Sequence, residues 1–166
     1  MSRYPERCRI WAITFASLKQ IARDDWFLDE VLLVPIEELR EHEEADPVHL
    51  RFLQKHVESE AILRHAIVAD RSTGVVLDGE HRLSAIRNLG YSEAPVVFVD
   101  CLSPEIRVES WRTGERLTKE TVIAARLSGR NLPPKTSRHL MRSGGRFEHI
   151  SVIGREVNVP LTKLRR

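Results

Sequence analysis

Residues 75–90 read VVLDGEHRLSAIRNLG, and the parsing of this stretch decides the fold. An apolar run stops at Asp78, Gly79 follows, and Leu83, Ile86 and Leu89 then recur at helical spacing until Gly90, a natural helix stop. A buried strand therefore turns at once into a helix. Gly79 lets the backbone bend sharply and lets a ligand approach it closely. The first amides of the helix have no partner within it, and the positive end of its dipole lies at the same place, so the turn suits an anion. His81 and Arg82 add donors there, and a guanidinium matches phosphate oxygens well. Asp78 would repel an anion unless a cation lay between them, which makes it a candidate Mg²⁺ ligand.

Outward from this turn, strands and helices alternate. Glu30 to Pro35 (EVLLVP) is a short apolar strand closed by proline, and the acidic connection IEELREHEEAD follows it. Asp46-Pro47 opens a helix running to about Ser59, with Val48, Phe52 and Val57 on its apolar side. His49 and His56 flank that side, and two helical turns between them are too many for a shared metal ion. His65 to Asp70 and Val75 to Asp78 are strands joined by the turn RSTG. Ala94 to Asp100 is a third β-branched strand, Arg107 to Trp111 a fourth, and Thr118 caps a helix over about Lys119 to Leu127. NLPPKTSRH reads as irregular, held extended by Pro133-Pro134. The class is α/β.

Bulk properties narrow the options. The chain has 166 residues, 42% hydrophobic and 30% charged, which is ordinary for one soluble domain. Cys8 and Cys101 lack metal-type spacing and read as reduced thiols of a cytoplasmic protein. No apolar run approaches the ~20 residues that span a bilayer. IWAITFASL, after several basic residues, reads as a buried element rather than a signal peptide. The net charge of +2 hides an asymmetry: residues 126–166 hold ten Lys/Arg against two acids. Such a segment suits a small anion or nucleic acid, or is simply a solvated surface. The P-loop, protein-kinase, C-x-x-C and H-E-x-x-H signatures are all missing.

DGEHRLSAIRNLG resembles the DGxHRxxAxxxLG segment of the ParB/sulfiredoxin-like superfamily, and the order of elements from about Val31 to Asp100 is similar to that domain. Sulfiredoxins carry a reactive cysteine where Glu80 stands here, which argues against that activity. A chromosome-partition protein would need two further modules, and 55 residues follow Trp111. Three pieces are similar to the free L-serine kinases of the superfamily (SerK-like): HEE at His42 to Glu44, Trp111 after the third strand, and LPPKTSRH at Leu132 to His139. The resemblance implies phosphoryl transfer from ADP or ATP, with Mg²⁺, to free L-serine. It implies Glu43 as general base (Glu44 staying open) and Asp78, Gly79, His81 and Arg82 on the nucleotide phosphates, with Asp78 also the metal ligand. It further implies Trp111, Thr136, Ser137, Arg138 and His139 on the amino acid.

The expected architecture is one domain over 1–166. Its mixed-sheet ParB/sulfiredoxin-like core spans about 30–112, and a helical or irregular C-terminal extension over 113–166 completes the substrate site. The expected partners are a nucleotide and L-serine, with no membrane. The rival classes are a ParB-like protein binding DNA through its basic C-terminal segment, and a nucleotide-binding regulator without turnover.

Overall fold

The computed structural model describes residues 11–12 and 30–164. A five-stranded mixed sheet forms its centre, in the order β1-β2-β6-β4-β5. These strands are Trp11–Ala12 (β1), Leu32–Pro35 (β2), Ile67–Asp70 (β4), Val76–Asp78 (β5) and Glu93–Val99 (β6). β6 runs parallel to β4 and antiparallel to β2, and β5 lies antiparallel to β4 on the sheet's edge. Every residue of β4 and β6 is buried. That is why these strands read as apolar runs with a charged residue only at one end, Asp70 and Glu93, for a strand covered on both faces has no solvent side to mark with polar residues.

Side chains nevertheless alternate between two cores. Ile67, Ala69, Val76, Val96 and Phe98 pack on one face with Leu83 and Ile86 of helix α2 (Glu80–Asn88) and Val57 of helix α1 (Pro47–Glu60). Val68, Val75, Leu77 and Val99 face the other way, onto Cys101, Val122 of helix α3 (Lys119–Leu127), Met141 and Ile150. The α1 cap is as expected: the Asp46 carboxylate accepts the Val48 and His49 N–H groups, and Pro47 sits in the first turn.

Three expectations are corrected. Residues 65–70 are not one strand. Ile62–His65 (β3) belongs to a separate antiparallel pair with Glu156–Pro160 (β10), and β4 begins only at Ile67. The α1 face named from composition is rotated, since Val48 and Phe52 are 80% and 69% exposed while the buried line runs through Leu53 and Val57. One residue of offset turns a helix by about 100°, so an apolar count can select the neighbouring stripe. The C-terminal extension is not merely helical and irregular. Ser137–Ser143 (β8) pairs with both Ile106–Ser110 (β7) and Arg146–His149 (β9) in a three-stranded antiparallel sheet.

Apart from β1, the IWAITFASL element lies outside the described residues, as does Cys8. Cys101 is a buried free thiol. Among the described residues no helix is long and apolar enough to cross a membrane.

Candidate functional site

Gly79 is the α2 N-cap at φ +101°, in the left-handed region that side chains disfavour. A Cβ there would lie 2.8 Å from Arg82 Nη2, because the guanidinium folds back over the turn. Arg82 donates to Asp78 Oδ2 at 2.6 Å and to the Ala66 carbonyl at 3.0 Å. Asp78 and Arg82, expected on a metal and on phosphates respectively, thus meet each other in an ion pair at the mouth of the turn. His81 accepts the Asp46 N–H through Nε2 at 3.0 Å, and its ring packs edge-on against His49. Burial, aided by His49, holds its pKa below the usual histidine value, consistent with a neutral ring that accepts at that nitrogen.

The HEE loop docks on this same helix end. Glu80 Oε1 accepts the N–H groups of His42 at 2.9 Å and Glu43 at 3.2 Å. It also lies 2.8 Å from His42 Nδ1, off the line of a good hydrogen bond. Burial opposes a charge on His42, but Glu80 and Glu43 outweigh it and raise its pKa. Burial, only partly offset by His42, likewise pushes Glu80 above the usual carboxylate range. The pair therefore holds a proton more tightly than either group would in water. Neither residue was among the expected site residues. The signal for Glu80 was an acid two residues past a buried strand, but its partners lie 37 and 38 residues upstream.

A third segment closes the site. Glu43 Oε1 accepts both the N–H and the hydroxyl of Ser137, each at 2.5 Å, and that hydroxyl lies 2.7 Å from His42 Nε2. The resulting chain runs Glu80, His42, Ser137, Glu43, across residues up to 95 apart in sequence. Backbone bonds fix the register: the Leu132 N–H donates to the His42 carbonyl, and the Glu44 N–H to the Leu132 carbonyl. Glu44 itself is exposed. The Glu43 side chain is only 11% exposed, and its second oxygen has no protein partner among the described residues.

The KTSRH segment is held, not floppy. Lys135 takes a left-handed φ of 55°, and the Thr136 hydroxyl donates to the Pro133 carbonyl at 2.6 Å. Thr136 and His139 are buried. His139 stands edge-on to His42 with ring centroids 5.6 Å apart, and burial, then His42, pushes its pKa down to about 3. Arg138 pairs with Glu109 at 2.6 Å, and its guanidinium lies 5.1 Å from the centre of the Trp111 ring. Trp111 is 54% exposed, so it is not a core residue. Lys135, which the motif reading left aside, is close enough to act electrostatically on both Asp46 and His81. Of the residues named from the sequence, Glu43, Ser137 and His139 are thus brought into one cluster against the α2 N-terminus. Trp111 and Arg138 form a second group, joined to the first through β8.

Among the described residues no three acids, histidines or cysteines gather as a metal cage. Mg²⁺ bound through nucleotide phosphates needs only one or two protein carboxylates and keeps several waters. Asp78, with one oxygen on Arg82 and the other without a hydrogen bond or ion pair among the described residues, fits that limited role.

No family model matches the chain. It is 29% identical over 86 residues to an ATP-dependent L-serine kinase of Staphylothermus marinus, a match covering 49% of this chain and 34% of that one. It is 30% identical over 89 residues to the enzyme of the same name from Desulfurococcus mucosus, covering 51% and 35%. The match spans about a third of the length of these curated relatives. Among solved structures, a free serine kinase in complex with AMP superposes with a TM-score of 0.66 at 14% identity, over 86% of this chain and 95% of that one. SbnI with a C-terminal truncation, from Staphylococcus aureus, gives 0.65 at 15% identity over 82% and 89%. The chain therefore has the mixed α/β fold of free serine kinase and is related in sequence to ATP-dependent L-serine kinases over about half its length.

Proposed function

We propose that the protein is a kinase for free L-serine, moving a phosphoryl group from ATP or ADP to the serine hydroxyl to give O-phospho-L-serine. In this reading residues 1–166 act as one unit, with 113–166 completing a site built on the core at about 30–112. The observation that carries it is the junction of Glu43 with Ser137, which Glu80 ties to the α2 N-terminus and which leaves one Glu43 oxygen free. The sequence relationship to ATP-dependent L-serine kinases supports the same reading.

The chemistry follows from the residues. Phosphoryl transfer passes through a loose transition state, so positioning and charge matter more than covalent help from the protein. The amides of α2 and Arg82 would hold the phosphates, and Asp78 would share Mg²⁺ with them. That ion would supply neutralisation of the charge developing on the phosphate oxygens. The free oxygen of Glu43 would take the proton of the substrate hydroxyl, while Ser137 and His42 fix the carboxylate in place. Arg138 and Trp111 would meet the amino acid's carboxylate and backbone.

Phosphorus NMR of the protein with L-serine, Mg²⁺ and either nucleotide tests this. O-phosphoserine should appear, and Glu43→Gln should slow its formation roughly 10²–10⁴-fold, the range of a lost general base. Nucleotide hydrolysis that ignores serine would defeat the proposal.

A further inference from the structure

An open cleft of about 410 Å³ lies between α3 and the edge of the core, within the ~300–1,000 Å³ range of small-molecule pockets. Arg40, Thr73 and Val75 form one wall, and Ile123, Arg126 and Leu127 the other. None of these residues belongs to the Gly79 turn or to the Glu43–Ser137 junction. Among the described residues, two guanidiniums are the only charged groups lining it. Arg126 Nε is buried without a hydrogen-bond partner, and neither arginine is held in an ion pair among the described residues. A buried N–H left unpaired is costly, and in a native structure it points to a missing acceptor.

The rest of the cleft fits an anion with an apolar body. The Thr73 hydroxyl is already spent on Asp70, so the guanidiniums are its polar contacts, and Val75, Ile123 and Leu127 offer aliphatic surface. Three of the carbonyls ending α3 do not stand open against an anion, since those of 124, 125 and 126 accept the N–H groups of Ser128, Arg130 and Gly129. Arg40 is fixed as well: its N–H donates to the Gly74 carbonyl and its carbonyl accepts the Val76 N–H.

We propose that this cleft is a second ligand site, taking a small carboxylate or phosphate compound with a short aliphatic body. The oxyanion is gripped by Arg40 and Arg126, and the body lies on Val75, Ile123 and Leu127. Arg40 stands two residues before His42 and is bridged to Val75, so the occupant also braces the segment that leads into the HEE loop.

Calorimetric titration of the full chain with 4-methylpentanoate, and separately with inorganic phosphate, tests it. At least one should bind at one equivalent, and which of them binds tighter tells a carboxylate ligand from a phosphate one. Arg126→Gln should weaken that binding roughly tenfold or more, the loss expected for a charge-assisted pair. Leu127→Glu should weaken it similarly by placing an acid at the mouth, and Leu127 is so exposed that the fold will tolerate the change. Because the α2 turn is itself proposed to hold phosphate, the phosphate titration is run in Arg82→Gln, and that substitution should leave 4-methylpentanoate binding unaltered. Binding of neither compound, binding that survives Arg126→Gln and Leu127→Glu, or 4-methylpentanoate binding lost in Arg82→Gln overturns the proposal. The outcome is separable from the kinase reading, because cleft binding is measured without nucleotide or serine and phosphoserine formation without either test compound.

Discussion

Replacing Glu80 with glutamine isolates the group that holds the HEE loop against α2. The amide oxygen of glutamine still accepts the His42 and Glu43 N–H groups, at 2.9 and 3.2 Å in the native chain, but the charge is gone. A hydrogen bond to a charged acceptor contributes about 1.5–3 kcal/mol against about 1 for a neutral one, so the two weakened contacts together cost about 2 kcal/mol. A second cost applies only where His42 is protonated, because the substitution then strands a buried imidazolium. Removing one partner of such a pair costs about 3–5 kcal/mol in all, the weakened contacts included. The folded pKa of His42 is raised, so its stabilising contribution is fully present below the unfolded value of 6.5 and is lost as pH rises through the folded value. In the variant burial is opposed only by Glu43 and a backbone hydrogen bond, so that pKa falls below its native value and the contribution shrinks. Urea unfolding should therefore show a deficit of about 3–5 kcal/mol near about pH 6, shrinking toward about 2 kcal/mol on the alkaline side. Imidazole NMR should show His42 titrating at lower pH than in the native chain. A deficit independent of pH, or a His42 titration that does not move, would refute the reasoning.

Gly79→Ala should cost about 1–2 kcal/mol through the strained φ of +101°, and should raise the nucleotide KM more than it lowers kcat, because the new methyl displaces Arg82. Steady-state kinetics with serine saturating and a melting curve read the two effects. His139, with its pKa near 3, should keep its neutral imidazole NMR signature from about pH 7 down to about pH 5, where an unfolded histidine would already be charged. The stability that this neutrality confers is present above 6.5 and falls as pH drops toward about 3, so His139→Gln should flatten the acid side of the stability profile. Chelation of divalent cations should abolish phosphoserine formation and leave the unfolding curve unchanged, since the described residues offer no closed metal cage.

Local signals made part of this molecule legible in its sequence. Asp46-Pro47 announces the start of α1, and Thr118 with Ser128-Gly129 brackets α3, because capping is settled by neighbouring residues. The Gly79 turn is legible for the same reason. What escaped depends on partners distant in sequence. The SRH end of KTSRH has no strand pattern of its own and opens β8 only because β7 and β9 flank that strand. Glu80 looks like any first-turn acid until a loop some forty residues upstream lays two N–H groups on it. Phe52 looks like core until the rotation of α1 about its axis is set by what Leu53 and Val57 meet. The motif resemblance named Glu43 and Ser137 separately, and the structure adds that they touch.

The Cys101 thiol lies beneath α3 with Val122, and burial, reinforced by Asp70, holds its pKa well above the usual thiol range. It is therefore mute toward alkylating reagents while that helix stays seated. In a chain carrying Cys8→Ser, the speed of its labelling becomes a clock for the lifting of α3. Because α3 also walls the two-arginine cleft, an occupant of that cleft would make the clock run slow.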